Sequence, residues 1–344
     1  MKIEEICCEK IYPRDLSGQA CHASNLLVLN SDCIVCAWFQ GSREGTDDVA
    51  IWGAKRTRGK WNKPVLLAKD AAVPHWNPVL YRKLNGEVTL LYKVGRKISD
   101  WHTRKRTLCV ADMTVGSSEE LVCGDFGGRG PVRTKMIRLA DGRLVAGASL
   151  EQQGSWTSFF DFSADDGMTW TRSSQISISQ EIAVRNHFEN LTSGKAGNAV
   201  SAQSLTGRGV IQPSLWQDSF GMLHAFLRST EGYLYRVDID AVKNEWKNLY
   251  RTDIPNNNSG IDTAVAKGCL FLCMNPISEN WGARTPLVIL ASGDNGASWK
   301  TCITVENDSG EFSYPSLFSD GAYLYLSYTW NRVNIGFRKY QIFH

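Results

Sequence analysis

The sequence predicts an all-β chain folded as a six-bladed β-propeller, and two internal repeats carry that prediction. In the first repeat, a short apolar strand, a turn usually bearing Asp-Gly, Asn-Gly or a similar pair, and a second apolar strand recur six times. The copies open at His22 (HASNLLVLNSDCIVCAWF), Asn77 (NPVLYRKLNGEVTLLYKVG), Thr134 (TKMIRLADGRLVAGASL), Gln212 (QPSLWQDSFGMLHAFLRS), Ile261 (IDTAVAKGCLFLCMN) and Tyr314 (YPSLFSDGAYLYLSYTW). Two such runs across a tight turn read as a β-hairpin, with glycine where the turn requires positive φ. The openings lie about 50 to 80 residues apart, a period that suits a four-stranded blade. In the second repeat, the segments Ser163 to Trp170 and Ser292 to Trp299 both fit S-x-D-x-G-x-[ST]-W. An Asp and a Gly at that spacing close a tight turn through side-chain to backbone hydrogen bonds, while the Trp buries a ring beneath it. Degenerate relatives of this turn end at Trp61 and Trp246. Very little of the chain shows helical periodicity, so residues 1–344 are assigned to one all-β domain.

The weakest region runs from about residue 171 to 210. It is rich in Ser, Asn and Gly, makes the third spacing the longest, and reads as an excursion over one face, a candidate lid.

Composition sets the outer limits. Of 344 residues, 43% are hydrophobic and 21% charged, which disfavours disorder. The 38 basic and 35 acidic residues leave a formal net charge of +3, too even to point to a nucleic-acid or acidic-membrane partner. No stretch approaches the length of a spanning helix, and the opening MKIEEICCEKIYPRD has no apolar run of the length a secretory signal needs. Ten cysteines are scattered without paired ligand spacing; Cys33 and Cys36 form one C-x-x-C inside an apolar strand, with no second pair. These features predict a reduced, cytoplasmic protein with cysteines as small core residues; a mature form that had lost its signal would be secreted. No cofactor or metal is expected, and the oligomeric state stays open.

Turns of the form S-x-D-x-G-x-T-W at blade-like spacing are the Asp boxes of the sialidase (neuraminidase) superfamily and its BNR-repeat relatives, and the whole chain resembles that superfamily. It is most similar to the sialidase-like BNR group carrying segments like Cys21 to Ser24, Arg43 to Gly45, Trp76 to Pro78, Asn258 to Asp262 and Glu311 to Pro315. The resemblance implies a pattern of three arginines on a substrate carboxylate, a Tyr nucleophile paired with a Glu, and an Asp acid/base. Carried over residue by residue, it makes Arg228 the second arginine, Arg284 the third, Tyr314 the nucleophile, and Asp47 or Asp48 the acid/base, with Arg43 beside them as a substrate contact. Two positions depart from the pattern. The segment containing His22 replaces the first arginine, and Gln212 replaces the Glu.

In a propeller the first strand of each blade lines the axis, so polar residues opening those strands converge. His22, Asn77, Gln212, Asp262 and Tyr314 hold such positions, with Lys135 beside another; each is a candidate for the site or for a structural hydrogen bond. Arg228 and Arg284 either clamp a carboxylate through forked hydrogen bonds or pair with a core acid. A free tyrosine hydroxyl keeps its proton to about pH 10, so a nucleophilic Tyr needs a charged neighbour, for which Asp262, and after it Glu311 on the approach loop, are the candidates in place of Gln212. An Asp acid needs burial to hold its proton. His75, Trp76 and Lys93 extend the pocket, Trp76 as a sugar platform or as blade packing. The leading expectation is a glycoside hydrolase acting on a terminal acidic sugar. The alternatives are a uronate lyase in which Tyr and His22 act as base and acid, and a non-catalytic glycan-binding propeller.

Overall fold

The computed structural model describes residues 2–152, 154–178 and 207–343. The 3-10 turn Ile98–Asp100 is the one helical element among these residues; everything else regular is β-strand. Most of the Ser/Asn/Gly-rich stretch read as a lid, residues 179–206, lies outside the described residues.

The strands follow the chain as six antiparallel meanders. The first is Ala20–Asn30, Cys33–Gly41 and Ala50–Thr57, with Lys60–Trp61 and Val65–Ala68 on its outer side. The second is His75–Arg82, Val88–Val94 and His102–Cys109 with two short outer pairs; the third is Ile137–Arg138, Leu144–Gln152, Ser155–Ser163 and Thr171–Arg172. The fourth runs Arg208–Gln217, Leu223–Ser229, Tyr233–Asp240 and Glu245–Pro255, and is joined to the third by a short parallel pairing of Trp156 with Gly209. The fifth is Asp262–Ala266, Cys269–Met274, Leu287–Ser292 and Lys300–Glu306. The sixth, Phe312–Ser319, Tyr323–Trp330 and Asn334–Ile342, takes its fourth strand from the other end of the chain, where Ile3–Lys10 pairs antiparallel with Asn334–Ile342.

Each sequence repeat supplies the first two strands of a meander. These strands are buried on both faces, as in Cys33–Gly41, and therefore read as continuous apolar runs. The outermost strands, such as Glu245–Pro255, are half exposed and polar, which is why the repeat faded there. Six apolar clusters fill the junctions. Val35 and Phe39 of the first meander meet Leu90 and Tyr92 of the second, Val79 and Leu91 meet Leu144 and Ala146 of the third, and Phe160 and Phe162 meet Leu215 and Leu227 of the fourth. Phe226 and Leu234 meet Leu270 and Leu272 of the fifth, Phe271 and Ile289 meet Leu317 and Leu326 of the sixth, and Tyr325 and Phe337 return to Leu26 and Trp38 of the first.

The two S-x-D-x-G-x-[ST]-W turns close on themselves. Asp165 Oδ1 accepts from Met168 N (3.1 Å), Thr169 N (2.8 Å) and the Ser163 hydroxyl (2.8 Å), and the Ser163 oxygen accepts from Gly167 N at 2.8 Å. Asp294 repeats the set with Ser292, Ser298 N (2.8 Å) and Ser298 Oγ. Gly167 sits at φ 88°, and a Cβ there would come within 2.6 Å of the Tyr81 hydroxyl, so the turn needs its glycine twice over.

Candidate active site

Four innermost strands carry the same irregularity at their openings. The ladder slips between His22 and Asn25, Trp76 and Val79, Ile211 and Ser214, and Ser313 and Ser316. In each slip one non-glycine residue takes positive φ: Ala23 (52°), Asn77 (44°), Gln212 (54°) and Tyr314 (53°). Three are followed by Pro78, Pro213 or Pro315, which have no N–H to lose from the ladder. A left-handed non-glycine residue costs about 1 kcal/mol or more, and such bulges re-aim side chains. Asn77, Gln212 and Tyr314 are re-aimed into one cleft. The equivalent residue of the first meander is Ala23 rather than His22, a one-residue correction to the sequence alignment of the repeats.

Two residues beyond three of the four bulge residues, Ala23, Gln212 and Tyr314, a different set of polar groups stitches neighbouring strands; beyond Asn77 that place is held by Val79. Asn25 Oδ1 accepts from Leu80 N (2.9 Å), Ser316 Oγ from Leu26 N (3.0 Å) and Ser214 Oγ from Thr263 N (2.9 Å). In the fifth meander Asp262 does this work: Oδ2 accepts from Leu317 N at 2.8 Å, while Oδ1 takes Ser214 Oγ (2.8 Å) and Lys135 Nζ (2.9 Å). Asp262 and Lys135, expected as catalytic and substrate-binding groups, are thus engaged with each other and with this set, and neither lines the cleft.

The cleft is lined by Tyr314, Arg228, Arg284, Arg332, Gln212 and Asn77, by Glu44 and Glu151, and by Trp76, Trp101, Trp156 and Trp281 with Ile98. Arg228, 2% exposed, donates Nε to Asn258 Oδ1 (2.9 Å) and Nη1 to both Gln212 Oε1 (3.0 Å) and the Tyr314 hydroxyl (2.8 Å). None of these three partners is a carboxylate, so among the described residues this buried guanidinium is hydrogen-bonded to no acid, although Glu151 lines the same cleft. Arg284 Nη1 donates to Glu311 Oε1 at 2.7 Å; Arg332 Nε donates to the same carboxylate (2.9 and 3.0 Å), and its Nη1 pairs with Glu44. Each of the three guanidiniums keeps Nη2 without a protein hydrogen bond among the described residues, and three positive charges stand against two tied carboxylates. The guanidiniums of Arg133, Arg228 and Arg284 lie 5.4, 5.5 and 5.3 Å from the centre of the Tyr314 ring. Two edge-to-face tryptophan pairs, Trp76 with Trp101 at 6.0 Å and Trp156 with Trp281 at 6.2 Å, form apolar walls.

Several expected residues are elsewhere. His22 is buried directly against Tyr314, ring centres 4.1 Å apart, with Nδ1 bonded to Thr329 Oγ1. Burial first, then the charges of Arg332, Arg284, Arg133 and Arg228, hold its pKa well below the usual histidine range, so it is neutral at physiological pH. His75 is buried with both ring nitrogens used, on Asp70 N (2.9 Å) and Val73 O (2.9 Å). Lys93 donates to Thr103 Oγ1, Gly128 O and Arg129 O; burial lowers its pKa to about 7, and it does not line the cleft. Arg43 is exposed, and Asp47 forms an exposed ion pair with Arg96. Asp48 accepts from Ser42 N (2.7 Å), Ser42 Oγ (2.9 Å) and Thr46 Oγ1 (2.5 Å), with Thr46 the largest of the hydrogen bonds that lower its pKa. A carboxyl held ionised in this way is the opposite of what a proton donor requires. The same loop sends Glu44 into the cleft instead, next to Arg332.

Sequence reasoning therefore missed Glu44, Glu151, Arg332, Trp101, Trp156 and Trp281, and the fully buried Arg133, which donates to Pro315 O (2.9 Å) and Ile261 O beneath Tyr314. Two had a signal: Glu44 lies inside the Arg43 to Gly45 segment of the resemblance, and Arg332 follows the second strand of its hairpin in YTWNR as Arg228 closes its own in FLRS. Among the described residues no His/Cys/Asp/Glu group is arranged to hold a metal, and all ten cysteines are free.

Comparison with known proteins agrees with this architecture. The BNR repeat-like domain family matches residues 32–326. No curated protein matches significantly. Among solved structures, a protein of unknown function from Dyadobacter fermentans superposes with a TM-score of 0.74 at 13% identity, covering 99% of both chains. The Hadza microbial sialidase Hz136 gives 0.71 at 14% identity over 94% of this chain and 66% of that one. The intramolecular trans-sialidase of Ruminococcus gnavus, in complex with oseltamivir carboxylate, gives 0.68 at 12% identity over 98% of both. At such identities the likeness is one of fold.

Proposed function

We propose, from the premise that this chain belongs to the BNR repeat-like domain family and is a sialidase-like member of that superfamily, that it is a six-bladed β-propeller enzyme hydrolysing glycosides at a terminal acidic sugar. The blade arrangement is supported by six meanders whose apolar clusters join each to the next and the sixth to the first, and by a final sheet completed from both ends of the chain.

The observation that carries the substrate class is Arg228: a buried guanidinium with neutral partners only, beside Arg284 and Arg332. A buried charge without a counter-ion is costly, and a ligand carboxylate arriving at the free Nη2 atoms supplies one with forked, charge-assisted hydrogen bonds. The tryptophan walls suit the apolar face of a sugar ring. Tyr314 carries the oxygen that faces the reacting carbon. Gln212 cannot take a proton; in this reading it holds Arg228 in place through Oε1. Hydrolysis is favoured over β-elimination because His22, the acid that elimination would use, is buried and neutral under Tyr314.

Incubation with sialosides and uronate-bearing oligosaccharides, followed by product mass and near-ultraviolet absorbance, tests the reading. A product that has gained water is expected, and Tyr314→Phe is expected to abolish it while leaving the melting temperature near that of the unsubstituted protein. An unsaturated product without added water would overturn hydrolysis, and no product from either class would overturn the enzymatic reading.

A further inference from the structure

We propose that Glu151 is the general acid of the cleft, donating its proton to the glycosidic oxygen as the bond to the acidic sugar breaks. This rests on the glycosidase reading above and departs from the Asp47/Asp48 loop in which an acid was expected.

Two acids, Glu44 and Glu151, line the cleft, and a third, Glu311, holds its arginines. Glu44 is tied to Arg332, and Glu311 to Arg284 and Arg332. Glu151 alone of the cleft-lining acids accepts no hydrogen bond and no ion pair from any described residue. It stands next to the end of the strand Leu144–Gln152, whose preceding seven residues are buried, and pairs across the ladder with Trp156. The 3-10 turn Ile98–Asp100 packs on the same strand, with Gln152 donating to Ser99 O at 3.4 Å, so Ile98, Trp101 and Trp156 line the cleft around it.

Taking a carboxylate out of water without a partner favours its protonated form. Burial pushes the Glu151 carboxyl up to about 7, with the charge of Arg228 pulling the other way. Of the other charged groups on elements packed around it, Lys97 and Asp100 beside the 3-10 turn are exposed, Arg208 on the strand Arg208–Gln217 bonds the Gly207 carbonyl, and Asp161 on the partner strand is tied to Arg129. This half-buried carboxyl, with its pKa raised, holds its proton to higher pH than a free glutamate does, and the protonated state is the one an acid must be in before the bond breaks.

The step balances. The bond between the anomeric carbon and the glycosidic oxygen breaks with both electrons going to that oxygen, which takes the Glu151 proton and leaves as an alcohol. Water then supplies hydroxide to the anomeric carbon and returns a proton to Glu151. Whether Tyr314 first holds the carbon does not change that proton's route.

The test compares Glu151→Gln with the unsubstituted protein on two glycosides of one acidic sugar: an oligosaccharide, whose leaving alcohol needs a proton, and a 4-methylumbelliferyl glycoside, whose leaving group needs little help. The variant is expected to lose about 100-fold or more in kcat on the oligosaccharide and about tenfold or less on the umbelliferyl glycoside. The fall in kcat/KM above about pH 7 is expected to be present in the unsubstituted protein and missing in the variant. Equal loss on both substrates, or none, would overturn the role of Glu151 while leaving the glycosidase intact. A carboxyl resonance that titrates like a free glutamate, followed by carbon NMR against Glu151→Gln, would overturn it without any turnover measurement. Absence of turnover by the unsubstituted protein would overturn the glycosidase reading, and this role with it.

Discussion

The surface turns and the cleft treat polar groups in different ways. In the turn Ser163 to Trp170, residues within seven positions of one another satisfy the Asp165 carboxylate from four sides, and only the buried Trp170 Nε1 of this turn lacks a partner among the described residues. In the cleft, Arg228, Arg284 and Arg332 come from three different stretches of the chain and each keeps donors in hand. Beneath them His22 Nε2, Arg133 Nε and Asn258 Nδ2 are buried without a protein partner among the described residues. A polar group that the protein satisfies locally stabilises a fold; a group the fold gathers and leaves open is available to a substrate.

The sharpest way to break this contrast is Arg228→Ala. It removes the buried charge to which the proposal assigns the substrate carboxylate, and it takes a hydrogen-bond partner from Tyr314, Gln212 and Asn258. The expected loss in affinity for an acidic sugar is about 2 kcal/mol or more, roughly 30-fold in Kd, read by calorimetric titration with the free sugar acid. Unchanged affinity would mean that the arginine cluster is structural, like the turns.

Asp165→Ala is the mirror experiment. It should lower stability by about 1 kcal/mol, a fall of about 2 °C in Tm, and leave sugar affinity untouched. Hydrogen bonds, first that from the Thr169 hydroxyl, hold the Asp165 carboxyl down to about 2. A carboxyl with a lowered folded-state pKa contributes stability above its unfolded value and loses it as pH falls through the folded one. The difference in Tm between the variant and the unsubstituted protein should therefore close between about pH 4 and pH 2. A change in sugar affinity would break the separation between turn and cleft.

Asp47→Ala should do the least. Its ion pair with Arg96 is exposed, and kcat/KM is expected to stay within about twofold of the unsubstituted protein. A large loss would return the acid to the loop and sharpen the question of what Glu151 does.

The limits of sequence reading follow from the same contrast. Asn77, Gln212 and Tyr314 were legible as cleft residues because each opens a repeat, and a repeat makes equivalent positions visible. The assignment of His22 failed by one residue because no proline marks the bulge in the first copy, where Ser24 follows Ala23. Asp262 and Lys135 were misplaced because an inner-strand polar residue has two destinations, the cleft or the next strand, and sequence does not distinguish them. Asp48 was read as an acid from its position alone, whereas the acceptor bonds that fix it as a carboxylate come from Ser42 and Thr46 only once the loop is folded.

By itself the sequence determined the all-β class, the six hairpins and the two closing turns, since each depends on alternation and turn chemistry within about twenty residues. It brought Tyr314 forward through its place in a repeat and Arg228 through a family resemblance, and both line the cleft. Tertiary structure alone decided that Arg332 and Glu44, 288 positions apart, meet in one ion pair, that Asp262 is bonded to Leu317 N, Ser214 and Lys135, and that Glu151 lines the cleft with no hydrogen bond or ion pair from a described residue. Those outcomes depend on which side chains are brought together and which are withdrawn from water, and only the packed chain sets either.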